Sequence, residues 1–168
     1  MINNIFRFGL IFILLILFQV LLFNNINFSG YVNPYVYILF ILLLPVELPA
    51  WLVLILSFIT GLVVDFFSTS LGMHTASTVM VGFIRPYVLQ VISPRDGYEP
   101  GSEPSMFTYG ARWFFIYTTI MVLAHHLVLF YVEVFRLTDF FRTLFRVLLS
   151  SLFSIAFIML IEHFRKRK

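Results

Sequence analysis

The chain has 168 residues, 61% of them hydrophobic and 11% charged, with a net charge of +3 and a mean hydropathy of +0.99. A soluble domain carries roughly 25% charged residues, so a water-soluble globular fold is excluded and an integral membrane protein is implied. Cysteine is absent, which excludes disulfides, thiol catalysis and thiolate metal centres, and the bases sit mostly at the ends of apolar runs, as membrane orientation requires and nucleic-acid binding does not.

Only helices and closed barrels satisfy their backbones in hydrocarbon. Runs such as Leu10 to Leu17 do not alternate, so the expected fold is an all-α six-helix transmembrane bundle in a single domain, with spans near 5–23, 34–46, 50–67, 74–92, 109–135 and 143–164. The first run is too long for the core of a cleaved signal and ends in Asn24-Asn25-Ile26-Asn27 rather than a cleavage site. It is expected to stay as the first span, with Gln19 as an interhelical hydrogen-bonding group. Asn24 to Pro34, with Gly30 and Asn33-Pro34 as breakers, reads as a loop.

From Tyr35 the chain is apolar to Phe67 except for Pro45-Val46-Glu47-Leu48-Pro49. This length is short for two ~20-residue spans, so it is read as two short helices around a turn, the alternative being a re-entrant hairpin. In the second of them Ser57, Gly61 and Asp65 form one narrow stripe that allows close helix approach. Ser68, Gly72 and His74 belong to the connector beyond it, where Asp65 is a capping carboxylate, a partner contact or, least favoured, an ion ligand. Ser77, Thr78 and Gly82 carry small residues into the fourth span. Pro86 should kink that span, and Arg85 needs an acidic partner or must snorkel, with Glu47 the candidate.

Residues 93–108, rich in Pro, Gly and mixed charge, read as a flexible loop without a phosphate-cradling pattern. The fifth span carries His125-His126 and then Glu133, which returns to nearly the same face as His126. Adjacent histidines point about 100° apart, so metal ligation is disfavoured against interhelical hydrogen bonding, and no metal or cofactor is expected. Glu47, Arg85, His126 and Glu133 are the candidates for a buried polar network. Ser150, Ser151 and Ser154 give the last span a small-residue face before the basic end Arg165 to Lys168. The distribution of bases places both termini and the 93–108 loop in the cytoplasm, and the Asp65 to His74 connector on the outer side. The basic tail also suits anionic lipid.

Gln19 near the end of the first span, Asn33-Pro34 before the second, and Gly61-x-x-x-Asp65-x-x-Ser68-x-x-x-Gly72-x-His74 together resemble the MreD family of bacterial rod-shape-determining proteins over essentially the whole chain. The resemblance implies a non-enzymatic inner-membrane subunit of the cell-elongation machinery. Such a subunit binds MreC and is coupled through it to MreB filaments, the RodA glycosyltransferase and its transpeptidase partner. It also implies a fold similar to the solute-binding subunits of energy-coupling-factor transporters. Homo-oligomerisation is left open. Two rival readings differ in class. A transport subunit would line a solute pocket of a few hundred cubic ångströms with Asp65, His74 and Arg85. An intramembrane enzyme would use His125, His126 and Glu133 as acid and base, but it has no nucleophile at useful spacing.

Overall fold

A computed structural model describes residues 2–25, 32–134 and 139–165, and among the described residues the chain is helical, with no strand. The helices are α1 (Ile2–Leu21), α2 (Leu39–Leu43), α3 (Ala50–Ser68), α4 (Met73–Val91), α5 (Met106–Tyr109), α6 (Ala111–Val134) and α7 (Phe140–Arg165), with a 3-10 turn at Phe23–Asn25. The expected break at Gly30, Arg136 and the basic residues 166–168 lie outside the described residues.

Helices α3, α6 and α7 are long and apolar enough to cross a membrane, and α1 carries a shorter apolar stretch, Phe6–Leu21. Their large apolar side chains point outward: Phe58, Leu62 and Phe66 on α3, and Leu148, Leu152 and Leu160 on α7, are exposed. The polar and small residues Ser57, Thr60 and Gly61 on α3, and Ser150, Ser151 and Ser154 on α7, are buried. That arrangement suits a lipid environment, where apolar faces gain nothing from hiding and small residues let backbones approach. The most polar of the long helices, α4, buries Ser77, Thr78, Gly82 and Arg85 between its neighbours α3 and α6, and α6 in turn packs on α7.

The expected second span differs most from the reading of the sequence. Only Leu39–Leu43 is helical there, about 7.5 Å of helix at 1.5 Å per residue, far short of the ~30 Å of a bilayer core. Pro34 and Pro45 bracket the segment and deny it regular continuation at either end. The stretch from Val36 to Leu44 nevertheless runs through the centre of the molecule and is the best buried part of it, none of its residues more than 5% exposed. Irregular backbone survives at membrane depth only when protein surrounds it and satisfies its polar groups.

Side chains from four helices do so here. Gln19 of α1 accepts from Val36 N at 2.9 Å and donates to Pro34 O at 3.2 Å. On α7, Ser150 and Ser154 accept from the backbone N–H groups of Asn33 and Tyr35 at 3.1 and 2.8 Å. Arg85 of α4 donates to Leu44 O and Pro45 O, and Tyr117 of α6 donates to Leu42 O at 3.4 Å. Each buried carbonyl or amide left unmade would cost about 1–3 kcal/mol, so these scattered polar residues maintain the fold of the central segment.

At the end of the bundle opposite Asp65, Glu103 bridges Arg7 of α1 and Arg165 of α7, and Arg165 also grips the buried Glu162 at 2.8 Å. The described ends of α1 and α7 therefore meet on one side. The 93–105 connection is held down: Ser102 O accepts from Val46 N at 3.1 Å, and the Tyr98 hydroxyl, pushed up to about 12 by burial, donates to Leu89 O at 2.6 Å. Aromatic contacts among Tyr98, Tyr109 and Trp113 tie this loop to α5 and α6.

Candidate functional site

At the far end of α3 the chain must reverse within four residues to enter α4. Thr69 takes the left-handed conformation at φ 51° and Gly72 follows at φ 80°, a position that favours glycine because it lacks Cβ. Gly72 is also the N-cap of α4 and has no side chain to accept from the first turn. The orphan N–H groups of that turn are taken up from the preceding helix. Asp65 Oδ1 accepts from His74 N at 3.0 Å and Ser70 Oγ at 2.5 Å, while Oδ2 accepts from Thr75 N at 2.8 Å and Thr75 Oγ1 at 2.6 Å. A carboxylate at a helix N-terminus is also favoured by the helix dipole. Asp65 is 4% exposed, and both its oxygens are committed. It has the capping role among those weighed from the sequence.

The stripe through Ser57 and Gly61 is likewise used within the chain. A Cβ on Gly61 would collide with Thr75 Cα and Thr78 Oγ1, and one on Gly82 would collide with Ser57 Oγ. The close approach anticipated for a partner helix is made by α4. Ser68 accepts from Asn24 Nδ2 at 3.1 Å and fastens the end of α1 to the connector. This end presents large apolar side chains outward beside the exposed Thr69: Leu71 is 99% exposed, Phe66 80% and Phe67 54%.

Beneath the connector, the Tyr37 hydroxyl lies 2.9 Å from His74 Nδ1 and 2.7 Å from His125 Nε2. One hydroxyl donates once, so the two rings cannot both accept from it. His125 Nδ1 has no partner among the described residues, and a bare acceptor there costs less than an orphaned N–H. The chain of donors therefore runs from His125 Nε2–H to Tyr37 and from Tyr37 O–H to His74. His126 belongs to a second chain: its Nδ1 meets Val122 O at 2.9 Å, and its Nε2 meets Ser154 Oγ at 3.0 Å. Since Val122 O can only accept, the proton of the neutral ring sits on Nδ1, and Nε2 accepts from the Ser154 hydroxyl, which still accepts from Tyr35 N.

The four residues expected to form one buried network are separated. Glu47 is exposed on the Pro45–Pro49 turn, and Glu133 pairs with Arg146 at 2.9 Å near the Asp65 end. Arg85 does not pair with Glu47: its guanidinium meets Leu44 O, Pro45 O and, at 3.1 Å, the Tyr117 hydroxyl. The carbonyls at the end of a broken helix supply acceptors without drawing a carboxylate out of water. Tyr37, Tyr117 and Arg146 gave no signal in the sequence, because their partners are backbone groups or residues remote along the chain.

A cavity of about 410 Å³ opens beside the connector, lined in part by Asn33, Tyr35, Ser68, His74, Glu133 and Arg146. Of the three residues a solute-binding reading placed in such a pocket, His74 lines it, Asp65 is spent on α4, and Arg85 lies toward the other end. Among the described residues no group of three His, Asp or Glu side chains is placed to hold a metal ion. The chain matches no family model, no curated protein and no solved structure.

Proposed function

We propose that the protein is a non-enzymatic, multi-pass subunit of a bacterial cell-elongation complex of the MreD type. Its apolar connector between α3 and α4 receives the membrane-proximal segment of MreC, which links it to MreB, RodA and the transpeptidase. In this reading the chain crosses the inner membrane as a six-segment bundle, the 34–46 segment being its broken member. Both termini are cytoplasmic and the connector is outside. The observation that carries the reading is the Asp65 clasp: four hydrogen bonds hold a tight reversal whose tip presents Leu71 almost fully exposed. A rigid apolar tip costs little ordering entropy on binding.

The test is a mild-detergent pull-down from the native membrane comparing the wild type with Leu71→Asp, a surface change that leaves the clasp intact. Recovery of MreC and wall-synthesis enzymes, reduced at least five-fold by Leu71→Asp, is the expected result. Undiminished recovery with the variant would remove the connector from the interface, and absence of MreC from both would end the reading.

A second reading, a solute-binding subunit of an energy-coupling-factor-type transporter, is favoured by the 410 Å³ polar cavity beside His74. Co-purification of an ATPase pair with a coupling subunit in the same pull-down would select it.

A further inference from the structure

Among the described residues, the cavity beside the connector is lined by one cation and one anion, and neither belongs to the clasp. Arg146 of α7 donates from Nη1 to Glu133 of α6 at 2.9 Å, and its guanidinium lies over the Phe130 ring at 4.3 Å from the centroid. With the Asn33 amide turned so that its oxygen faces the guanidinium, Nη2 donates to it at 2.8 Å. Its Nε has no acceptor among the described residues. The side chains keep 19% and 35% of their surface accessible, so the pair is half-desolvated, a position in which an ion pair gains little from its own attraction. The remaining polar wall among the described residues, Asn24, Asn33, Tyr35, Ser68, Ser70 and the His74 ring, carries no formal charge when the imidazole is neutral.

A wall with adjacent plus and minus charges discriminates by charge pattern. A simple anion would satisfy Arg146 and be repelled by Glu133, and a simple cation would meet the reverse. A molecule bearing an oxyanion next to an ammonium satisfies both, since the guanidinium fork suits carboxylate or phosphate oxygens. The volume lies within the ~300–1,000 Å³ of small-molecule sites.

We propose that this cavity binds a primary-ammonium zwitterion, with Arg146 holding its oxyanion and Glu133 its ammonium. The inference is argued from the cavity's own residues and stands apart from the cell-elongation reading, whereas its free amino-acid outcome would deepen the solute-binding reading that the same cavity favours. The same chemistry has two sources at a membrane surface, the headgroup of phosphatidylethanolamine and a free α-amino acid.

The full chain in nanodiscs separates them. In one arm, lipid retained by the released protein is measured by native mass spectrometry from phosphatidylethanolamine and from phosphatidylglycerol discs. In the other, phosphatidylglycerol discs are incubated with a radiolabelled mixture of the twenty amino acids. Retention of either zwitterion above phosphatidylglycerol, lowered at least ten-fold by Glu133→Gln and by Arg146→Gln, is expected, and the arm that responds identifies the source. Glu133→Gln keeps a hydrogen bond to Arg146, so it decides the matter if Arg146→Gln fails to fold. No retention in either arm, equal retention of phosphatidylglycerol, or retention indifferent to Glu133→Gln would overturn the proposal.

Discussion

Replacing Asp65 by Asn keeps the outline of the side chain but sets an NH2 group against donors whichever way the amide turns, because both carboxylate oxygens accept. At least one N–H of the first turn of α4 then loses its acceptor, and the favourable interaction with the helix dipole weakens. We expect Asp65→Asn to lower stability by about 2–4 kcal/mol, read from reversible unfolding in mixed micelles; a change below about 1 kcal/mol would show that the clasp matters little. Capping was one of three roles the sequence offered for Asp65, because it stands near the end of an apolar helix just before a cluster of hydroxyls and glycine; the hydrogen bonds select it. Arg146 was not legible, since α6 supplies its carboxylate and α7 the guanidinium, and only packing brings them together.

Between α3 and α4, two glycines face different obstacles. The Cβ of Gly61→Ala would meet the Thr75 backbone, Cα and N, which cannot turn aside, whereas that of Gly82→Ala meets chiefly the Ser57 hydroxyl. Gly61→Ala is therefore expected to destabilise by at least about 2 kcal/mol, in the upper range of overpacking costs. Gly82→Ala should cost less and be partly relieved by Ser57→Ala. Equal costs for the two glycines, or no relief in the double variant, would contradict this packing. Periodicity placed α3, α4, α6 and α7 to within a few residues, because apolar runs of membrane length leave the backbone no other satisfied state. It overextended α2, since an apolar run reads the same whether it is a spanning helix in lipid or an irregular segment sheathed by protein.

Taken as a whole, the molecule has two distinct ends: the clasp with its apolar tip, and the Arg7–Glu103–Arg165 bridge with the aromatic-anchored loop. They are separated by α4, whose 19 residues measure about 28 Å, close to the thickness of a bilayer core. The chain has no cysteine of its own, so single cysteines at the exposed positions Leu71 and Asp96 report sidedness directly. A membrane-impermeant maleimide should label Leu71→Cys in intact cells and Asp96→Cys only after lysis. Labelling of both from the same side would contradict a membrane-crossing α4.

Composition and periodicity by themselves pointed to a helical membrane protein, located its long helices and narrowed Asp65 to a cap, a partner contact or an ion ligand at the α3–α4 junction, because burial in lipid and helix capping are local demands written in neighbouring residues. Only the tertiary structure decided what Gln19, Arg85, Tyr117, Ser150 and Ser154 are for, and that Arg146 and Glu133 share a cavity. Their partners are carbonyls, amides and side chains distant in the chain, and a hydrogen bond to a backbone group leaves no mark on the identity of the residue that carries it.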